Sequence, residues 1–186
     1  EPGQFFAPGG LTVGPDGNIY VADSLNNRVQ IFSPTGEFLG LFGSKGSGAG
    51  QLSLPSDVVI VTGQISLEFK VYVADSLNDR IQIFSRELEI APASERSLAA
   101  ASFTYAGSLG ESGSAGGQFS RPEGLDLDQY GNLMVADMRN GRIQKLTTDG
   151  KYLDSWTSAT RGRFEVLVDF AVGLDGRVYG LDASHQ

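Results

Sequence analysis

The strongest constraint on this chain is that it repeats itself. The triplets Gly3-Gln4-Phe5, Gly50-Gln51-Leu52 and Gly117-Gln118-Phe119 are each followed three residues later by a proline, at Pro8, Pro55 and Pro122. Further on come Tyr20-Val21-Ala22-Asp23, Tyr72-Val73-Ala74-Asp75 and Met134-Val135-Ala136-Asp137. Each leads into Asn-x-Arg, from Asn26 to Arg28, Asn78 to Arg80 and Asn140 to Arg142, and then into an apolar-Gln pair at Val29-Gln30, Ile81-Gln82 and Ile143-Gln144. A fourth, degenerate unit keeps register: Gly162 and Phe164 stand for Gly3 and Phe5, Leu167 replaces the proline, and Asp175-Gly176, Tyr179 and Asp182 follow in step. Twenty residues separate Gly3 from Asp23, Gly117 from Asp137 and Gly162 from Asp182, whereas Gly50 and Asp75 are twenty-five apart. A five-residue insertion therefore falls within Val61–Phe69.

A period of this length means stacked supersecondary units. The first unit reads as four short strands, at Gly10–Val13, Asn18–Ala22, Arg28–Phe32 and Phe38–Phe42. Tight-turn chemistry joins the first pair at Pro15-Asp16-Gly17 and the last pair at Pro34-Thr35-Gly36. The 25 glycines among 186 residues are spread through alternating apolar segments, which suits many tight turns better than one flexible linker. A single four-stranded sheet cannot cover both of its faces; sheets stacked radially cover one another, which is the propeller solution.

The string Gly-x-Phe-x-x-Pro, then Asp-x-x-Gly-Asn-Ile-Tyr-Val-Ala-Asp, then Asn-x-Arg-apolar-Gln resembles the NHL repeat, and the first unit carries nearly all of it. The resemblance implies an all-β fold: an NHL-type β-propeller domain over 1–186, with blades near 3–47, 50–110, 117–158 and an incomplete 162–186. That is about three and a half four-stranded blades, a partial or open ring. Two readings of the incomplete blade are kept: the chain is part of a longer protein, or a second chain completes the sheet by edge pairing. The repeat also breaks at 86–101, where a longer loop replaces a tight hairpin, with one helical turn predicted at Ser94–Ala100. Loops on rigid scaffolds often carry binding specificity.

Residues that suggest chemistry divide by whether they repeat. Asp23, Asp75, Asp137 and Asp182, with Arg28, Arg80 and Arg142, recur in the blades, as a structural turn motif requires and an asymmetric site does not. Asp126, Asp128 and Asp169 do not recur. Asp126 and Asp128 alternate along one strand, so the three are the weak candidates for a hard cation such as Ca²⁺. His185 is the only histidine. The amidating lyases that resemble NHL propellers use several histidines around zinc, a set this chain does not supply, and a Ser-His-Asp triad would have to recruit His185. The glycine-rich stretch from Gly107 to Gly117 lacks the Gly-Lys-Ser/Thr ending of a phosphate loop and matches Gly43–Gly50, so it reads as a flexible inter-blade linker.

With a net charge of −8, the chain lacks the overall basic character of a sequence-independent nucleic-acid binder. There is no cysteine, and no run of about 18 apolar residues suited to spanning a membrane. The expectation is thus a non-enzymatic scaffold without a cofactor, binding a protein or small ligand through propeller loops and exposed strand edges, or an additional chain that completes the propeller. One alternative is a propeller-type hydrolase or lyase with channel-bound Ca²⁺ on Asp126 and Asp169. The other is RNA binding through the local basic set Arg139, Arg142, Lys145, Arg161, Arg163 and Arg177. An extracytoplasmic or secreted location is expected from the chain starting at Glu1 and from the NHL resemblance, with the cytoplasm as the alternative.

Overall fold

The structure is a computed structural model that describes residues 1–63, 68–87, 103–157, 164, 167–173 and 175–183. The first unit forms β1 (Pro8–Val13), β2 (Ile19–Asp23), β3 (Arg28–Phe32) and β4 (Phe38–Phe42), an antiparallel sheet in chain order. The linker contributes β5 (Ser44–Lys45) and β6 (Gln51–Leu52). A second sheet follows, of β7 (Pro55–Thr62), β8 (Glu68–Asp75), β9 (Arg80–Glu87) and β10 (Thr104–Leu109). The third has β11 (Pro122–Leu127), β12 (Leu133–Asp137), β13 (Arg142–Leu146) and β14 (Tyr152–Trp156). The last described strands, β15 (Leu167–Val172) and β16 (Val178–Asp182), pair only with each other. The result is an all-β arc of propeller blades, open rather than closed.

The strands fall within two residues of the sequence expectation in the first blade, the largest difference being that β1 begins at Pro8 rather than Gly10. The five-residue insertion lengthens a hairpin: β7 and β8 stay paired out to Thr62 and Phe69, and β9 runs alongside to Glu87, opposite Glu68. The helical turn predicted at 94–100 lies outside the described residues. In each complete blade a single turn of 3₁₀ helix (Ser24–Asn26, Ser76–Asn78, Met138–Asn140) joins the second strand to the third, and ends on a left-handed residue, Asn27, Asp79 or Gly141.

Three apolar clusters fill the spaces between successive blades. Tyr20, Val29, Ile31 and Phe42 of the first blade meet Val58, Val71, Val73 and Phe84 of the second. Tyr72, Ala74, Ile81 and Ile83 then meet Leu125, Leu133, Val135 and Leu146, and Met134, Ala136 and Ile143 meet Leu167 and Phe170. Alternation along each strand makes this stacking work, because successive side chains point to opposite faces and both faces are apolar. Every blade thus has a forward face, carrying Tyr20 or its equivalent, and a back face, carrying Leu11 or its equivalent.

Candidate functional site

The repeated polar residues form one buried constellation per blade. Asp23, Asp75 and Asp137 are fully buried. One oxygen of each accepts a linker N–H: Phe6 to Asp23 at 2.8 Å, Ser53 to Asp75 at 2.7 Å, Ser120 to Asp137 at 2.7 Å. The other accepts from arginine Nε, at 2.8 Å from Arg28, Arg80 and Arg142 alike. Asn26, Asn78 and Asn140 donate to the same carboxylates, as do Gln30, Gln82 and Gln144. Each glutamine then returns to the linker, its Oε1 accepting from Gly3, Gly50 or Gly117 and its Nε2 donating to the carbonyl of Gln4, Gln51 or Gln118. Burial alone would push the Asp23 carboxyl up, but the Phe6 N–H, Arg28 and Asn26 outweigh it and hold the group below its ordinary value. Both oxygens of each of these carboxylates thus accept from its own blade and linker.

The glycine-rich linkers differ from the flexible segments expected. The arginine and asparagine of each latch reach past the carboxylate and bond linker carbonyls, Arg80 to Gly48 and Gln51, Asn78 to Gly46, Arg142 to Ala115 and Gln118, Asn140 to Gly113. Gly46 N–H also donates to the Leu52 carbonyl and Gly113 N–H to that of Phe119. Glycine is needed here for backbone shape rather than for motion: Gly110 has a φ of +77°, and a Cβ there would lie 2.3 Å from the Phe119 ring. Two ties between blades escaped the sequence reading. Asn27 accepts the N–H of Leu54 at 3.0 Å, and Asp79 that of Arg121 at 2.7 Å. Both acceptors are the unremarked middle residue of Asn-x-Arg. Both recipients have φ of +54°, a costly conformation for a residue with a side chain that the bond helps to hold.

The non-repeated acids gather elsewhere. A cavity of about 600 Å³ opens between the inner strands, lined by residues of β1, β7 and β11 together with Asp169 of β15. Asp57, Asp126 and Asp169 all line it, with Glu123 at its edge. Asp57 was not among the sequence candidates. Its carboxylate spans two blades, taking the N–H of Val58 and of Leu125, each at 2.8 Å. Asp126 likewise takes the N–H of Leu127 at 2.7 Å and of Val172, one blade on, at 3.1 Å, and Asp169 takes that of Phe170 at 2.7 Å. Burial, above all, raises the Asp57 carboxyl to about 6 against the pull of its two N–H donors, and the charges of Asp169 and Asp126 add to the rise.

Asp128 is not part of this group. β11 ends at Leu127, so Asp128 starts the following turn, where Lys145 lies 2.6 Å away and the N–H groups of Tyr130 and Asn132 are both at 2.9 Å. Burial opposes its ionisation, yet Lys145, Asn132 and these backbone donors hold the carboxyl down at about 2. Both oxygens of Asp57 and of Asp126 and one oxygen of Asp169 accept backbone N–H groups, and among the described residues no three His, Cys, Asp or Glu side chains are grouped to hold a metal. Three of the basic set are held in ion pairs. Arg142 belongs to a latch, Lys145 is paired with Asp128 and Arg177 lies 3.4 Å from Asp175. Arg161, Arg163 and His185 lie outside the described residues.

Both end faces of the arc are apolar and open among the described residues. Leu11 is 61% exposed, whereas its equivalents Val58, Leu125 and Phe170 are 2%, 8% and 8% exposed. Tyr179 is 57% exposed, against 0% for Tyr20 and 1% for Tyr72. Val13 and Leu181 are exposed beside them.

Comparison with known proteins agrees with this architecture. A model described as NHL repeat matches residues 7–32, and one described as SMP-30/Gluconolactonase/LRE-like region matches residues 68–165. NHL repeat-containing protein 3 of Homo sapiens is 35% identical over 90 residues, 47% of this chain and 24% of that protein. Peptidyl-glycine alpha-amidating monooxygenase of Mus musculus is 32% identical over 182 residues, 91% of this chain and 17% of that protein. In three dimensions the chain is similar to a catalytically inactive virginiamycin B lyase from Staphylococcus aureus crystallised with quinupristin, with a TM-score of 0.58 at 16% identity, over 94% of this chain and 48% of that one. The chain thus spans about half of that structure and a quarter or less of these curated relatives.

Proposed function

Because this chain belongs to the NHL-repeat, SMP-30/gluconolactonase-like family of β-propellers, we propose that it acts as a non-enzymatic scaffold that binds and assembles through its open faces and loops. The observation that carries this reading is the contrast between the blades' polar and apolar residues. The repeated acids, arginines and amides are used up in holding blades to linkers. The apolar positions that glue one blade to the next are left uncovered at Leu11, Val13, Tyr179 and Leu181. Apolar surface of this kind marks a place where another surface docks, a further blade or a partner. An extracytoplasmic location belongs to the same proposal and is checked by fractionating cells that express the tagged chain.

The acidic cavity supports a second reading, a hydrolase or lyase whose reacting group lies among Asp57, Asp126 and Asp169. A carboxyl raised to about 6 can exchange protons near neutrality, as acid–base work requires. Two of the similar proteins are named as enzymes, a monooxygenase and a lyase. Assay of simple lactones and p-nitrophenyl esters, with and without added Ca²⁺, separates the two readings. The scaffold predicts no turnover above buffer, and none that differs in the double variant Asp126→Asn/Asp169→Asn. Hydrolysis that the double variant loses would replace the scaffold with the enzyme.

A further inference from the structure

We propose that the face carrying the three 3₁₀ turns binds an amphipathic segment of a partner protein, its apolar residues lying across the first two blades and its carboxylate meeting Arg139 on the third. The proposal rests on the scaffold reading and names the surface and the chemistry of the partner. Each inner strand pairs its first residue with the latch aspartate, Pro8 with Asp23, Pro55 with Asp75 and Pro122 with Asp137. The 3₁₀ turn that follows each aspartate therefore stands beside the start of the inner strand, at one end of every blade. The middle residue of each turn is fastened by its backbone: the N–H of Leu25, Leu77 and Arg139 donates to the linker carbonyl of Phe6, Ser53 and Ser120, at 3.1 Å in all three. The side chains are left to solvent, with Leu25 46% and Leu77 54% exposed and Arg139 exposed as well. Partly buried Leu54 links the two leucines, since its N–H is bonded to Asn27 at the end of the first turn and its neighbour Ser53 holds the second.

The fold does not require leucine at these positions. Arg139 fills the same place in the third blade with the same backbone bond, so a charged residue serves the turn equally well. One exposed leucine is unremarkable, but two in successive blades with a third between them form an apolar stretch. Neither is uncovered for want of a neighbouring blade: Leu77 belongs to the middle one of the three four-stranded blades and is the more exposed of the two. Charge selects what accompanies the apolar residues of the partner. Arg121 is taken by Glu123 at 2.7 Å, while Arg139 has no ion-pair partner among the described residues. Leu54 also lines the acidic cavity, whose Asp57 and Asp126 repel a carboxylate, so the acid of the segment is directed to Arg139 and its apolar part to the leucines. Nucleic acid suits this surface badly, because leucine offers no ring on which a base can stack and one free cation neutralises few phosphates.

Panning a phage-displayed library of random dodecapeptides against the 186-residue chain tests the proposal, followed by fluorescence polarisation of the recovered peptides with wild type and variants. Recovered peptides are expected to combine large apolar residues with an Asp or Glu to one side of them. Leu25→Gln and Leu77→Gln should each weaken binding by about tenfold. Arg139→Glu should weaken it by about fivefold, and a peptide with lysine in place of its acid should recover the loss, which separates direct pairing from damage to the turn. All three side chains are exposed, so far-UV circular dichroism should match wild type. A library that yields no binder overturns the proposal, as does an Arg139→Glu loss that lysine does not recover. Peptides that bind the Leu25→Gln/Leu77→Gln variant as tightly as wild type also overturn it, while leaving the scaffold reading in place. Leucine-dependent flotation with phosphatidylcholine and phosphatidylserine vesicles would replace it with a membrane surface. Failure of the scaffold reading itself shows elsewhere, as lactone or ester turnover that depends on Asp126 and Asp169.

Discussion

Replacing Asp57 by asparagine should help the protein progressively more, relative to wild type, as pH rises from 4 to 7. The carboxyl lies at the junction of three inner strands, in a cavity that it shares with Asp126, Asp169 and Glu123. Burial, assisted by the charges of Asp169 and Asp126, raises it from 3.8 to about 6 in the folded chain. The folded state therefore holds this proton over a range in which the unfolded state has released it. The contribution is fully present below pH 3.8 and is lost as pH rises through 6, the reverse of an ion-paired aspartate. A gap of this size corresponds to roughly 3 kcal/mol as an upper limit. Asparagine does not titrate and keeps one carbonyl acceptor, so it strands one of the Val58 and Leu125 N–H groups. That cost is the same at every pH, and the pH dependence isolates the ionisation. Urea unfolding of both proteins at pH 4, 5, 6 and 7 measures the effect, through the difference in unfolding free energy between them. Taking that difference cancels the opposite contributions of Asp23 and Asp128, whose lowered values add stability above 3.8 that is lost as pH falls. The difference should shift by about 3 kcal/mol in favour of asparagine between pH 4 and pH 7, from whatever baseline the lost N–H acceptor sets at pH 4. Parallel curves would refute the reasoning, because they would mean that Asp57 ionises alike in the folded and unfolded chains.

Two further substitutions probe the frame. Arg142→Ala strands the fully buried Asp137 carboxylate and should cost roughly 3 kcal/mol in thermal or urea unfolding, with Arg80→Ala costing about the same; Arg177→Ala, whose pair with Asp175 is open to water, should cost nothing measurable. Gly10→Ala places a Cβ 1.7 Å from Asp57 Oδ1 and should destabilise by roughly 1–3 kcal/mol, with a smaller loss when Asp57 is also replaced by alanine, as differential scanning fluorimetry of the two single variants and the double variant would show.

The strands were legible because four units in register pin one another: Tyr20, Tyr72 and Met134 could be placed in one packing layer from their spacing to Asp23, Asp75 and Asp137. Recurrence likewise marked the aspartates and arginines as a turn motif, but not the asparagine and glutamine that join them, because their partners are linker carbonyls and N–H groups distant in sequence. The linkers were misread because glycine content reports conformational range in the unfolded chain, while the carbonyls that Arg80 and Arg142 grip lie about thirty residues away in sequence. Asp128 was grouped with Asp126 by strand alternation, but alternation stops where the strand stops, and β11 ends one residue earlier. Asp57 was not among the sequence candidates. Its partner is the Leu125 N–H of another blade, and nothing local announces a contact between two inner strands.

One sequence signal for the cavity does exist, in the second position after the proline of each unit. There the chain reads Gly10, Asp57, Gly124, Asp169. The structure explains the alternation. Inner strands converge so closely that the Asp57 carboxylate occupies the space where a Gly10 side chain would begin, and the Asp169 carboxylate lies 3.1 Å from where a Cβ of Gly124 would lie. A carboxylate on one blade thus requires a glycine on the blade before it. Asp57 and Asp169 therefore sit on alternate blades, while Asp126 of the blade between them lines the same cavity from another position of its strand. This separates the two kinds of aspartate in the chain. An acid present in every unit completes its blade's latch, whereas Asp57 and Asp169, present in alternate units, lie against a glycine of the preceding blade and face the open cavity.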